Sequence, residues 1–179
     1  MSSYSKSLSP LFITSLSYHS GVWDTLGRGN LGALTSAGYV SANLGLFFPV
    51  RLQWEFQVNR VFVTNGGTAS GNFDIGIYSA GLTRIYSTGS TAQVGTNVNQ
   101  YVTPATPFKL PPGSYYLAIV MNGTTNTAFR TTGPTAQDFR SVGCFQMASA
   151  FALPATATPA TYANAYAPLF GITKTTSGF

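Results

Sequence analysis

Few side chains in this chain of 179 residues can carry acid–base, nucleophilic or metal chemistry. They are one histidine, one cysteine and four acids: His19, Cys144, Asp24, Glu55, Asp74 and Asp138. A Ser-His-Asp triad would place His19 beside an aspartate, but no G-x-S-x-G motif marks a nucleophile. Cys144 lies in the apolar stretch SVGCFQMAS, which predicts a buried structural thiol.

The acids could also serve as a catalytic pair or as metal ligands. A glycosidase needs two carboxylates flanking the sugar, and Glu55 and Asp74 would supply them, but we expect each to pair with an arginine or to face solvent. The isolated acids lack metal-ligand spacing, and neither a P-loop nor a strand-to-helix dinucleotide-binding glycine motif occurs. We therefore predict no catalytic residue, no metal and no cofactor, and expect that the chain is not an enzyme.

Charge is scarce in the composition. Charged residues are 7% of the chain, against about 25% in ordinary globular domains. Either much of the surface is buried against other subunits, because interface cores are depleted of charge, or the surface is exposed and neutral. The net charge of +5 comes from scattered lysines and arginines that form no run, so we expect no specific nucleic-acid partner. No run of 18 apolar residues is present, so we expect no transmembrane helix.

Short apolar runs separated by turn residues dominate residues 51–122. Clusters of Val, Ile, Phe and Tyr cut by Gly, Asn and Pro predict antiparallel strands with tight turns. The run SYYLAIVMN is the most apolar and is predicted at the centre of a sheet. Alternation with polar residues predicts one buried face for Leu52, Trp54, Phe56 and Val58. The parity changes after this set, which predicts a bulge or a break between strands.

The whole pattern predicts an all-β protein. About eight short strands with Gly and Pro turns favour an antiparallel β-sandwich with jelly-roll-like topology. No ten-residue stretch has helical periodicity, and DFRSVGCFQMAS is predicted as a strand. Residues 1–36, rich in Ser and Gly, are predicted as an extended N-terminal arm, and residues 37–151 as the β-sandwich domain. Residues 152–179, rich in Ala, Thr and Pro, are predicted as an extended C-terminal arm with one short strand in PLFGITKTTSGF.

The remaining informative residues suit binding rather than catalysis. Aromatic and apolar side chains in the arms are expected at subunit interfaces, and the assembly-interface candidates are Phe12, Trp23, Tyr162, Tyr166 and Phe170. Aromatic rings also serve sugar-binding surfaces, so glycan binding stays open. In that alternative, the loops at 65–70 and 122–127 would carry recognition, and the candidates are Asn65, Thr68, Asn122 and Thr124. Asn122-Gly123-Thr124 also matches a glycosylation acceptor, although Asn-Gly is equally a hairpin signal.

Part of the chain resembles a known kind of protein. Three pieces carry the likeness: the loop and strand at 65–74, the strand at 84–89 with its Ser-Thr-Gly exit, and the Pro-Gly-x-Tyr-Tyr lead-in to a hydrophobic strand. They are similar to small β-sandwich modules in structural proteins of tailed bacteriophage virions. The resemblance spans residues 37–130, implies a virion component and transfers no functional residue.

Two functional hypotheses follow from these observations. The first is a virion structural protein, specifically a capsid decoration or cement protein that forms a homo-oligomer, for which three-fold symmetry would suit the geometry. Its partners would be neighbouring subunits and other virion proteins such as the major capsid protein. The alternative is a tail-associated receptor-binding module that recognises host-surface glycans. A polysaccharide hydrolase is a third option.

Overall fold

The computed structural model describes residues 34–176 and the backbone of residues 22–24. These residues form fifteen β-strands and one α-helix. The strands of the first half are β1 (Val22–Asp24), β2 (Leu34–Gly38), β3 (Gly45–Leu52), β4 (Phe56–Val58), β5 (Arg60–Thr64), β6 (Asn72–Ser79) and β7 (Arg84–Ser87). The others are β8 (Thr91–Ala92), β9 (Asn99–Val102), β10 (Phe108–Leu110), β11 (Gly113–Met121), β12 (Thr127–Thr131), β13 (Phe145–Met147), β14 (Ala160–Thr161) and β15 (Phe170–Thr173).

All strand pairing between these elements is antiparallel. The prediction of a mostly β, antiparallel protein is therefore confirmed. The strands are more numerous than the eight or so expected, because the connection at 53–55 divides one apolar run and several strands lie in the segments predicted as arms.

The largest sheet has seven strands, in the order β14-β13-β3-β11-β6-β7, with β8 also pairing with β6. The apolar strand β11 lies between β3 and β6, where Leu117 is opposite Phe48 on one side and Ile77 on the other. Its central position is as predicted. A continuous apolar run is typical of a strand buried on both faces, and β11 is buried from Leu117 to Met121.

Three smaller sheets complete the fold. One has four strands in the order β1-β15-β5-β9, and the other two are the pairs β10-β4 and β12-β2. Isolated bridges link Asn65 to Ala128 and Arg130 to Pro168, which joins β12 to the four-stranded sheet. Between β4 and β5 the backbone N–H of Asn59 donates to Thr173 O (3.0 Å). The break predicted after Val58 is therefore confirmed.

A large apolar core receives side chains from all four sheets. The seven-stranded sheet contributes Phe48, Ile75, Ile77, Leu117 and Ile119, and the smaller sheets contribute Phe56, Val58, Val61, Val63, Leu110, Ala128, Phe170 and Ile172. Aromatic rings interlock inside it: Phe48 packs edge-on against Phe170 with ring centroids 5.7 Å apart. Edge-to-face pairs of this kind are favoured by the ring quadrupoles beyond the area that they bury.

The opposite face of the seven-stranded sheet, here called its outer face, is covered as well. Phe47, Tyr78, Ala118 and Val120 form a second cluster with Phe145, Ala150, Leu153 and Ala157. Three members of this cluster belong to residues 150–157, which we call the cover segment. Because both faces are buried, the strands beneath lose the alternation of apolar and polar residues that marks a half-buried sheet.

The residues predicted as a C-terminal arm pack against the body as far as Thr175, whose carbonyl oxygen accepts from Arg60 Nε at 2.9 Å. Leu153 and Ala157 belong to the outer cluster, and Tyr162 belongs to the large core. Strand β15 lies between β1 and β5, which confirms the short strand predicted in PLFGITKTTSGF. This placement differs from an arm that extends away from the domain. Of the predicted N-terminal arm, residues 1–21 and 25–33 lie outside the described residues.

One local prediction was wrong and another was correct only in part. Trp54 is 47% exposed rather than buried with its neighbours, because β3 ends at Leu52 and the connection to β4 breaks the alternation. The stretch DFRSVGCFQMAS contains the end of helix α1 (Ala136–Ser141) before β13. A capping box begins this helix: Thr135 Oγ1 accepts from Asp138 N (3.3 Å), and Asp138 Oδ2 accepts from Thr135 N (2.7 Å). The six-residue helix is too short to span a membrane, and no other helix occurs in the described part.

Candidate functional site

Three loops meet at one end of the described structure. They are residues 65–71, 93–98 and 122–126, and we call them the loop cluster. Strand pairing brings them together: Phe73 of β6 is opposite Met121 of β11, and Thr64 of β5 is opposite Asn99 of β9. Strand β8, which precedes the middle loop, pairs with the start of β6. Two of the loops are those predicted for glycan recognition, and the structure places them side by side.

Reciprocal hydrogen bonds tie loop 65–71 to the start of β12. Gly66 N donates to Thr127 O (2.9 Å), and Thr127 N donates to Thr68 O (3.1 Å). The Thr127 hydroxyl accepts from Thr68 N (2.8 Å) and donates to Thr68 O (2.8 Å). These four bonds hold Thr68 in one position relative to β12, although its side chain is exposed.

A second contact joins the other end of the same loop to Asn122. Asn122 Oδ1 accepts from Asn72 N (2.9 Å), and Asn122 N donates to Asn72 O (3.0 Å). Gly71 lies between them with φ +58, where a Cβ atom would be 2.5 Å from Asn122 Oδ1. Only glycine fits this position without strain, both for its backbone conformation and for the space beside it.

The third loop, 93–98, was not anticipated as part of the site. Its backbone bonds to loop 65–71 three times: Gln93 N donates to Gly71 O, Asn97 N to Gly66 O and Asn65 N to Val98 O, each at 2.9 Å. The sequence signal was present in VGTNVN, which reads as a connection. Sequence cannot show that this connection returns to a loop almost thirty residues earlier.

Asn65 is the buried centre of the loop cluster and is 0% exposed. Its carboxamide Nδ2 donates to the carbonyl oxygens of Val94 (2.7 Å) and Gly95 (3.0 Å). Nδ2 also donates to Gln100 Oε1 (2.9 Å), and Asn65 Oδ1 accepts from Gln93 Nε2 (3.0 Å). The Asn65 side chain is therefore used inside the protein and cannot contact a ligand directly, in contrast to the recognition role predicted for it.

The exposed rim of the loop cluster is neutral. The predicted candidates Thr68, Asn122 and Thr124 are exposed there. Val94 and Val98 are 59% and 45% exposed, two of the most exposed large apolar side chains in the described part. None of residues 65–71, 93–98 or 122–126 is charged. Hydroxyls, amides and two valines suit a neutral partner, because no group at the rim would neutralise an anion or a cation.

The two acids considered for catalysis lie in different environments. Glu55 is on the surface, where its carboxylate pairs with Lys109 Nζ at 2.7 Å. Asp74 is 0% exposed beneath the cover segment, not solvent-facing or paired with an arginine as predicted. Three donors reach its carboxylate: Ser87 Oγ (2.8 Å), Thr88 Oγ1 (3.1 Å) and the backbone N–H of Leu153 (2.9 Å).

Asp74 thus fastens the cover segment to the sheet. Tyr78 adds a hydrogen bond from its hydroxyl to Pro154 O (2.7 Å), and Arg84 donates to Leu153 O. Burial raises the pKa of Tyr78 well above the usual range of a tyrosine, so this hydroxyl stays protonated. Gly76 leaves room for Leu153, whose Cδ1 lies 2.7 Å from where a Cβ would be.

The predicted assembly-interface residues lie inside the protein or beyond what is described. Tyr162, Tyr166 and Phe170 are at most 5% exposed and pack in the large core, so they do not present a surface to another subunit. Of Trp23 only the backbone is described, opposite Ile172 in the β1–β15 pair. Phe12 lies outside the described residues. Sequence composition could not separate these core aromatics from interface aromatics, because burial favours the same residue types in both.

Cys144 is buried, as predicted. Burial raises the pKa of its thiol to about 12, which keeps it protonated and unreactive at neutral pH. Among the described residues no three His, Cys, Asp or Glu side chains form a group that could hold a metal ion.

No protein-family model matches the chain, and no curated protein or solved structure is significantly similar to it. The function is therefore inferred from the residues and their geometry.

Proposed function

We propose that this chain is a non-enzymatic structural protein of a virion, specifically a capsid decoration or cement protein that binds neighbouring subunits and the shell. The observation that carries the proposal is the neutral rim of the loop cluster with its exposed Val94 and Val98. Contact surfaces between proteins are depleted of charge at their centres, and exposed apolar patches commonly mark such contacts. The rim is also rigid, since its loops are bonded to one another, which lowers the entropy lost on binding.

The architecture proposed with this function is a β-sandwich of jelly-roll type. The seven-stranded sheet would form one layer, and the four-stranded sheet with the two strand pairs would form the other. Support comes from the large core, which contains Ile77 and Leu117 from the first group and Val61 and Ile172 from the second. Sandwich bodies of this kind leave their loops at the two ends, and the loop cluster would be one such end.

The N-terminal segment would supply a second grip. Backbone pairing of Val22 with Thr173 and of Asp24 with Gly171 adds β1 to the edge of the four-stranded sheet. Strand addition at a sheet edge is a general way for one chain to hold another. In a homo-oligomer, the segment preceding β1 would extend to a neighbour. The residues at 152–176 would instead serve the body, since they fill its two apolar clusters.

Mass measurement by light scattering after size exclusion tests the assembly proposal. The intact chain should give a stable closed oligomer. The double variant Val94→Ser, Val98→Ser should lower the mass of that oligomer or weaken its binding to shells. Ile85→Ser is the matched control, because Ile85 is equally exposed (45%) but lies on β7 outside the loop cluster. A chain that stays monomeric and does not bind shells would contradict the proposal, as would equal effects of the Val and Ile variants.

Deletion of residues 1–20 tests the N-terminal grip separately. The truncated chain should keep the circular dichroism and melting temperature of the intact chain but fail to enter particles. Normal incorporation of the truncated chain would show that the segment is not needed for assembly.

Receptor binding is the second candidate function, favoured by the exposed hydroxyls and amide of Thr68, Thr124 and Asn122 at the same rim. A tail-associated module would use them to hydrogen-bond host-surface glycans, with Asn65 fixing the loops from below. Thr68→Val and Thr124→Val should then reduce adsorption to host cells and leave the oligomer mass unchanged. If adsorption is unchanged while shell binding is lost, the glycan alternative is wrong and the decoration proposal stands.

A further inference from the structure

The chain contains two Asn-Gly dipeptides, Asn65-Gly66 and Asn122-Gly123, and both lie in the loop cluster. An asparagine followed by glycine is the sequence most prone to self-cyclisation, because the glycine nitrogen carries no neighbouring Cβ that hinders its approach to the asparagine side chain. The two dipeptides differ sharply in their surroundings. One is held from every side and the other is open.

At Asn122 the nucleophile and the leaving group of this reaction are not held by hydrogen bonds within residues 34–176. The side chain is exposed, and its Nδ2 has no hydrogen-bond partner among the described residues. The Gly123 N–H likewise has no acceptor within the part of the chain that the structure describes. Asn122 Oδ1 does have a partner, since it accepts from Asn72 N at 2.9 Å.

That single contact lies where it assists the reaction. Attack on the Asn122 side-chain carbon Cγ shifts negative charge onto Oδ1. A backbone N–H already directed at this oxygen stabilises the charge as it develops, in the manner of an oxyanion hole. The leaving group, Nδ2, belongs to an exposed side chain and can depart as ammonia.

We propose that Asn122 is a site of spontaneous deamidation through a cyclic imide. A solvent base removes the Gly123 N–H proton, the nitrogen bonds to Asn122 Cγ, and the Cγ–Nδ2 bond breaks as Nδ2 takes up a proton and leaves as ammonia. Water then opens the imide at either carbonyl, giving aspartate or isoaspartate at position 122. Amide and water are consumed, acid and ammonia are produced, and no oxidant or reductant is needed.

Asn65 is protected against the same reaction. Its side chain is 0% exposed, and its Nδ2 donates to Val94 O and Gln100 Oε1. Its nucleophile is also engaged, since Gly66 N donates to Thr127 O at 2.9 Å. Cyclisation at Asn65 therefore requires these bonds to open first, which makes its rate depend on local unfolding.

Deamidation would place a carboxylate on a rim that has no charged residue. An aspartate at position 122 could still accept from Asn72 N, because a carboxylate is a stronger acceptor than an amide. An isoaspartate would also lengthen the backbone by one carbon between β11 and loop 122–126. Either product changes the charge of the surface proposed for binding, so the age of the protein would alter that surface.

Peptide mapping by mass spectrometry of the full chain, aged at neutral and mildly alkaline pH, tests the proposal. In the folded chain Asn122 should convert at least about tenfold faster than Asn65, since Asn65 reacts only through local opening. The rate at Asn122 should rise with pH, because the Gly123 nitrogen must lose its proton. In denaturant both asparagines should convert at similar rates, which gives the intrinsic reactivity of each dipeptide.

Three outcomes would overturn the proposal. The first is an Asn122 that stays intact in the folded chain for as long as the denatured chain takes to convert fully. The second is equal conversion of Asn65 and Asn122 in the folded chain, and the third is a rate at Asn122 that does not depend on pH. The variant Asn122→Gln is the control for assignment: it should abolish the acidic form on isoelectric focusing, since cyclisation of glutamine closes a larger ring and is slower.

Discussion

The loop cluster and the cover segment are both organised around one fully buried polar side chain, but the two side chains differ in kind. Asn65 is a neutral amide that both donates and accepts hydrogen bonds. Its donor bonds go mostly to carbonyl oxygens of a nearby loop, and it accepts from Gln93. Asp74 is a carboxylate that only accepts, and one of its donors, Leu153 N, is 79 residues away. Removing Asn65 leaves mainly carbonyl oxygens without a partner, whereas removing Asp74 leaves the buried Leu153 N–H and the half-buried Ser87 hydroxyl without an acceptor. Unpaired buried N–H groups are rarer in proteins than under-satisfied carbonyls.

The difference fits what each region does. The cover segment closes an apolar face of the seven-stranded sheet, so its anchor must hold a distant part of the chain against the sheet. The loop cluster only has to keep three loops in register, and a neutral centre does so without adding charge to the rim above it.

The largest effect is expected from Asp74→Ala. Loss of the carboxylate leaves Leu153 N and the Ser87 hydroxyl without an acceptor, whereas the Thr88 hydroxyl keeps Gly89 O at 3.2 Å. Hydrogen bonds to charged groups contribute about 1.5 to 3 kcal/mol each. Part of this is offset because the charge no longer has to be desolvated, so we expect a loss of about 3 kcal/mol in the free energy of unfolding. Denaturant titration measures it.

Hydrogen exchange shows where the effect of Asp74→Ala is located. The amides of Leu153 and Arg84, which bond to Asp74 and to Ala155 O, should lose protection before those of β11. If their protection is unchanged, Asp74 does not anchor the cover segment.

Asn65→Ala should lower the free energy of unfolding by about 2 kcal/mol, less than Asp74→Ala. The groups that it leaves unpaired are mostly carbonyl oxygens. Gln93 Nε2 keeps Thr127 O as an acceptor at 2.7 Å, which limits the damage. The exchange of Asn97 N, which bonds to Gly66 O, should quicken while that of Leu153 N stays slow. Thr96→Ala is the control, because Thr96 is exposed in loop 93–98 beside Asn97. This variant should change neither the exchange of Asn97 N nor that of Leu153 N. A larger loss for Asn65→Ala than for Asp74→Ala would reverse the comparison.

Gly71→Ala probes the contact between the loops. Its φ of +58 costs an alanine about 1 kcal/mol, and a Cβ would lie 2.5 Å from Asn122 Oδ1 and 2.9 Å from Asn126 Oδ1. Gly89→Ala is a matched control, because Gly89 has a φ of +66 with nothing within 4 Å of the added carbon. We expect melting to show a loss of about 2 kcal/mol for Gly71→Ala against about 1 kcal/mol for Gly89→Ala. Equal losses would mean that the loops yield and that their contact is loose.

Local signals of the sequence predicted more of this fold than of its candidate site. The strand character of β11, the break after Val58 and the burial of Cys144 follow from residue types within a few positions. The pairing of loop 93–98 with loop 65–71 and the hydrogen bond from Leu153 N to Asp74 join residues that are 22 or more positions apart in the chain. Periodicity contains no information on such contacts, since it reports only which face of one element is apolar.

The cover segment shows this limit most clearly. Ala, Pro and Thr at high density suggested an arm, because prolines disfavour both helix and sheet interiors. The structure uses the same composition for an extended segment whose backbone is bonded to Asp74, Tyr78 and Arg84 from the sheet. Nothing in the segment itself identifies its acceptor. The one sequence signal for this contact is an aspartate, Asp74, in the middle of an apolar strand.

The smallest effect is expected at Glu55, the surface counterpart of Asp74. Its carboxylate is 2.7 Å from Lys109 Nζ, but the two side chains are 55% and 60% exposed. Water screens such a pair and both side chains lose rotamer freedom by forming it, so exposed ion pairs contribute at most about 1 kcal/mol. Glu55→Gln should therefore change the free energy of unfolding by less than about 0.5 kcal/mol, and added salt should shrink even that difference. Denaturant titrations at low and high salt measure both quantities.

A loss for Glu55→Gln comparable to that of Asp74→Ala would mean that burial is not what separates the two carboxylates. A negligible loss for Glu55→Gln beside a large loss for Asp74→Ala would attribute the difference to the burial of Asp74 and to its donors.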